Sequence, residues 1–63
     1  MIKVTVKTKQ GYNEDLYFES MTDWKHWKAY MSIHPKSTTR LYGWAISVMI
    51  KDITRVISVE EEN

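Results

Sequence analysis

A chain of 63 residues with a formal net charge of +1 and no cysteine has room for one domain and excludes both a disulfide staple and a thiolate metal site. The balanced charge speaks against an acidic mimic of nucleic acid, and a strong nonspecific DNA binder is usually more basic. A domain of this size buries only about 60% of its unfolded surface, so stability must come from packing of large rings or from association with a second copy.

Ile2, Val4 and Val6 alternate with Lys3, Thr5 and Lys7. That period of two, carried by β-branched residues, predicts a half-buried strand. Turn formers run from Gln10 to Asp15, and Leu16 and Phe18 then alternate with Tyr17 and Glu19. The two segments predict a β-hairpin. Ser20 and Asp23 form a capping-box-like helix start. Met21, Trp24, Trp27, Met31 and His34 follow at helical spacing, flanked by Tyr30, with Lys25, Lys28 and Ser32 on the other side. Pro35 predicts the end of that helix, because the residue before proline is pushed out of the α region.

Leu41 to Ile50 fits two descriptions. Leu41, Trp44, Ala45 and Val48 suit a helix, whereas Tyr42, Trp44, Ile46, Val48 and Ile50 suit one face of a strand. Gly43 and the β-branched content favour the strand. Its other face, with Leu41, Ala45 and Met49, is apolar too, so the segment reads as buried on both sides or as facing a partner. Lys51-Asp52 is a turn signal. Ile53 to Val59 predicts a last strand with Ile57 and Val59 inward beside Arg55, and residues 60–63 read as a solvated acidic tail. The expected fold is α+β: one domain over residues 1–63, ordered β-β-α-β-β, with a four-stranded, mostly antiparallel sheet and one helix on one face. Strand order stays open at this level.

Catalytic chemistry finds few residues to build on. Gly11 and Gly43 are the only glycines, so there is no phosphate-cradling loop. His26 and His34 diverge around the helix and do not make up the three or four ligands a zinc ion needs. Asp23 and His26 are three apart and within reach of one another, but a triad also needs a positioned nucleophile, and Ser37, Thr38 and Thr39 lie in a loop. The expectation is a non-enzyme without metal or cofactor. The N-terminus lacks the apolar run of a secretory signal and Leu41–Ile50 is too short for a bilayer, so a soluble, cytoplasmic protein is expected.

Three segments remain as binding candidates. Trp24-Lys25-His26-Trp27-Lys28-Ala29-Tyr30 interleaves rings and cations, although a tryptophan stripe at helical spacing is usually core. Lys3, Lys7 and Lys9 line the outer face of the first strand near Tyr17, where a basic, aromatic sheet face suits single-stranded nucleic acid and lysines also guard sheet edges. The two-faced apolar segment Leu41–Ile50 suits a protein or dimer surface. The favoured reading is a protein-binding domain anchored by Tyr42, Trp44 and Met49 and steered by Lys25 and Lys28. The alternative is a nucleic-acid-binding domain using Lys3, Lys7, Lys9, Lys25 and Lys28.

The opening Ile2-Lys3-Val4-Thr5-Val6, the Phe18-Glu19-Ser20 lead into a Trp-rich helix and the closing Ile53–Glu60 stretch resemble the short accessory proteins of phages and prophages of Gram-positive bacteria. That resemblance implies a protein that binds and inhibits or redirects a host protein, such as a defence or nucleic-acid-processing enzyme. It assigns no site residue.

Overall fold

The computed structural model describes residues 1–62. The strands are β1 (Ile2–Thr8), β2 (Asn13–Phe18), β3 (Arg40–Tyr42), β4 (Ser47–Met49) and β5 (Ile53–Glu61), and the helix α1 spans Met21–Ile33. A single 3-10 turn at Ile50–Asp52 leads into β5. The strands form two sheets: a three-stranded antiparallel sheet in the order β2-β1-β5, and a separate two-stranded hairpin of β3 and β4.

The α+β class holds, and the expected four-stranded sheet gives way to this three-plus-two arrangement. The cause lies in Leu41–Ile50, which is neither one strand nor a helix. The chain reverses at Gly43–Ile46, where the Gly43 N–H donates to the Ile46 carbonyl at 2.9 Å. Reversal sets Leu41 directly opposite Val48. Those two side chains and Ile50 are buried together, while Tyr42, Trp44 and Ala45 are exposed. A continuous strand would have put Leu41 and Val48 on opposite faces. The turn removes that conflict, so only one face of the hairpin has to be covered.

β1 is the central strand and its alternation is clean: Ile2, Val4, Val6 and Thr8 are buried, and Lys3, Thr5 and Lys7 face outward. Lys9, Gln10, Gly11 and Tyr12 connect it to β2. Gly11 lies in the left-handed region at φ +89°, which glycine adopts without the Cβ penalty. The Gly11 N–H donates to the Thr8 carbonyl and the Thr8 N–H to the Tyr12 carbonyl, each at 2.9 Å. Leu16 and Phe18 of β2 share the buried face.

α1 covers that face. Ser20 caps it as expected, its Oγ accepting from the Asp23 N–H at 3.2 Å. The cap satisfies one of the donors that a helix start leaves free. Trp24 is the buried residue of the helix, packed on Phe18 with ring centroids 5.2 Å apart. Trp27, Tyr30 and Met31 pack half-buried against the same core. The expected stripe is shorter than its sequence suggests, because Met21 and His34 at its two ends are exposed.

β5 departs from expectation in two ways. Its register against β1 slips between Thr5 and Val6 and again between Lys7 and Thr8. The slips leave Ile57 and Thr54 as extra residues, the signature of β-bulges. Val59 and Val56 therefore stand opposite buried Val4 and Val6, and Ile57, expected inward, is exposed along with Val59. The acidic tail is also not free. Glu60 and Glu61 belong to β5 opposite Lys3 and Ile2, and the Glu62 N–H donates to the Met1 carbonyl at 2.8 Å. Asn63 lies outside the described residues.

Candidate protein-binding surface

The β3–β4 hairpin presents its tip to solvent. Trp44 is 81% exposed and Tyr42 65% exposed. Leu41, Val48 and Ile50 root the hairpin in the core, and the tip itself lies close against β2. A Cβ added at Gly43 would collide with the Asp15 carbonyl oxygen, so only glycine allows this approach. The indole of Trp44 meets the Tyr17 ring edge-on, with centroids 5.6 Å apart and planes at 85°. This is a favoured geometry, because it sets the positive edge of one ring against the negative face of the other. Tyr17 thus orients an indole that is otherwise in water.

The expected anchors are brought together only in part. Tyr42 and Trp44 are neighbours at the tip, while Met49 stands opposite Arg40 at the base of the hairpin, half-buried. The Arg40 guanidinium donates to Ser47 Oγ at 2.9 Å across the same outward face. Lys25 and Lys28 are exposed on α1, over the opposite face of the main sheet from Tyr17. They can add to a long-range field there but do not border the indole.

The five lysines of the nucleic-acid alternative are also dispersed. Lys3 and Lys7 lie on the uncovered sheet face, Lys9 in the β1–β2 turn, and Lys25 and Lys28 on the helix behind. Lys3 is engaged, with Nζ 3.2 Å from Glu60 and 3.4 Å from Glu62. The hydrogen bond to Glu60, followed by that carboxylate's charge, raises the Lys3 pKa above its ordinary 10.5. Thr5 donates to Asp15 Oδ1 at 2.7 Å on the same face. The surface is therefore a mixture of signs rather than a basic track.

Asp23 uses its N–H in the Ser20 cap, and His26 meets Trp27 edge-on at 5.6 Å. Around the helix C-terminus, Tyr30 Oη lies 3.4 Å from Ser37 Oγ, which donates to Thr39 Oγ1 at 2.9 Å. These hydroxyls lower the Tyr30 pKa from its ordinary 10.0, Ser37 contributing most. His34 packs against the Tyr30 ring, with centroids 4.8 Å apart and planes tilted by 47°. The hydroxyls tie the 37–39 loop to the helix. The loop in turn pairs with the 3-10 turn, the Lys51 N–H donating to the Ser37 carbonyl at 2.9 Å. Among the described residues, no three His, Cys, Asp or Glu side chains gather where they could hold a metal ion, and no helix is long and apolar enough to cross a membrane.

Two features escaped the sequence reading. One is the support of Trp44 by Tyr17, which are distant in the chain. The other is the exposure of Val56, Ile57 and Val59 along β5. Its signal was present, since an apolar triad beside a charged residue on a terminal strand suits an edge, but strand order was needed to use it. Comparison with protein-family models, curated proteins and solved structures finds no match to this chain.

Proposed function

We propose that this chain is a non-enzymatic protein-binding domain whose contact surface is the β3–β4 tip, with Trp44 as anchor and Tyr42 beside it. The observation carrying this reading is an indole 81% exposed yet in edge-on contact with the Tyr17 ring at 5.6 Å. Burying a large apolar side chain is worth roughly 1.5–3 kcal/mol, and tryptophan and tyrosine are enriched among the residues that dominate interfaces. A tip ordered before binding also loses less conformational entropy on docking. Lys25 and Lys28 act in this scheme as peripheral charges that influence encounter rate. Inhibition of a host protein, as the phage-accessory resemblance implies, is the form of activity this surface would serve.

The test is capture of proteins from nuclease-treated bacterial lysate by tagged wild-type and Trp44→Ala protein, read by mass spectrometry. A stoichiometric protein retained by the wild type and reduced at least about tenfold with the folded variant fits the proposal. Equal capture by both removes Trp44 from the role. Partners lost on nuclease treatment would move the function to the nucleic-acid alternative.

A further inference from the structure

We infer that β5 pairs antiparallel with β5 of a second copy, joining two three-stranded sheets into one of six strands through a two-fold axis. β5 has 9 residues, and it ends the sheet. The opposite end differs, because the β3–β4 hairpin packs close on β2 there. The outer edge of such a strand presents unpaired N–H and C=O groups, a template for pairing with another chain. Val56, Ile57 and Val59 are 38%, 44% and 40% exposed along this one. The apolar groove between β5 and α1, bordered by Met31, Pro35, Ile50, Ile53 and Val56, continues the same face.

The bulge at Ile57 selects the register. Residues directly opposite in a sheet share a face, and a two-fold makes every pairing reciprocal. Val56 and Val59 both face the core side, opposite Val6 and Val4, whereas Arg55 and Glu60 both face the uncovered side, opposite Lys7 and Lys3. Setting Val56 against Val59 of the second copy satisfies both conditions. That register simultaneously sets Arg55 against Glu60 of the second copy. Across the joined sheet, one row then reads Val6, Val56, and Val59 and Val4 of the second copy. The next reads Lys7, Arg55, and Glu60 and Lys3 of the second copy. A slip of one residue would pair side chains from opposite faces.

Charge argues for the same occupant. Within one chain Lys7 and Arg55 are directly opposite like charges, an unfavourable pair. Neither forms an ion pair among the described residues, where Lys3 alone does so. Glu60 of a second copy supplies the missing anion, once on each side of the axis. The surface used is distinct from the hairpin tip, so the two proposals stand or fall separately.

The experiment is sedimentation equilibrium of the full chain from low micromolar to millimolar protein. It compares wild type, Arg55→Glu, Glu60→Arg, an equimolar mixture of those two, and Trp44→Ala, with folding checked by circular dichroism. The expected result is a wild-type and Trp44→Ala dimer, about tenfold weaker self-association in each charge variant because the axis counts each reversal twice, and recovery in the mixture. There the new glutamate of one variant faces the new arginine of the other. A wild type that stays monomeric at millimolar concentration overturns the inference and leaves the hairpin-tip reading intact. Self-association that ignores the charge variants, or is not recovered in the mixture, overturns the register. Loss of the dimer in Trp44→Ala alone assigns self-association to the tip and overturns the role of β5.

Discussion

Trp24 and Trp44 place the same side chain in opposite surroundings, one 3% exposed and the other 81%. Trp24 sits on a helix whose axis lies over a sheet, and Phe18 from β2 meets its ring at 5.2 Å. Trp44 sits in a reversal where the backbone, not the side chain, makes the close contact, through Gly43 against Asp15. The first indole stabilises the fold by the area it removes from water. The second leaves most of its area available, and its one ring contact, with Tyr17, orients more than it stabilises. Equal hydrophobicity therefore says nothing about role until the geometry of the supporting element is known.

The sharpest way to break this comparison is truncation at both positions. Trp24→Ala is expected to cost about 3–5 kcal/mol. In a domain with no cysteine and a core this small, that is enough to populate the unfolded chain in water. Urea denaturation followed by far-UV circular dichroism reads it directly. A midpoint near the wild-type value would show that the α1–β2 contact is not the stabilising centre. Gly43→Ala comes next, at roughly 1–3 kcal/mol for a forced overlap. It is expected to loosen the hairpin from β2 as well, seen as faster hydrogen exchange at the Leu41 and Val48 amides that flank the reversal. An unchanged exchange rate would mean that the tip adjusts freely.

Trp44→Ala is expected to cost only about 0.5–1.5 kcal/mol, the worth of an edge-on ring pair, while removing partner capture. A loss as large as that of Trp24→Ala would erase the distinction between the two indoles and return Trp44 to the core. The smallest effect lies in the alkaline range. The Lys3 pKa is raised in the folded state by Glu60, so the Lys3 contribution is complete below the ordinary value of 10.5 and lost as pH rises through the folded value. The stability gap between wild type and Lys3→Gln is therefore expected to narrow on that climb. Tyr30, with its pKa lowered by Ser37, contributes in the opposite direction above its ordinary value. It is common to both proteins and cancels in the difference. A gap that stays constant to strongly alkaline pH would remove the Lys3–Glu60 pair from the stability account.

Local chemistry was sufficient for some of this architecture. Alternation in Ile2–Lys7 specified a half-buried strand, and the observed burial of β1 follows it residue by residue. Ser20 and Pro35 bracketed the helix because capping and the pre-proline restriction act within a few residues. The Leu41–Ile50 segment was misread for a corresponding reason. Of the four residues at its reversal, only Gly43 is a turn former. That glycine is required by Asp15, far away in the chain, and not by its neighbours. The exposure of Tyr42 and Trp44 thus depended on a contact that periodicity does not register.

By itself the sequence determined the α+β class, a first hairpin, a capped amphipathic helix and a final strand, all consequences of side-chain periodicity and short-range backbone preference. Tertiary structure alone decided that β1 is central, that the fourth strand position is empty, that β5 carries bulges and ends the sheet, and which tryptophan is left outside. Those outcomes depend on pairing between segments distant in sequence. There, register and close backbone approach select among arrangements that local propensity treats as equivalent.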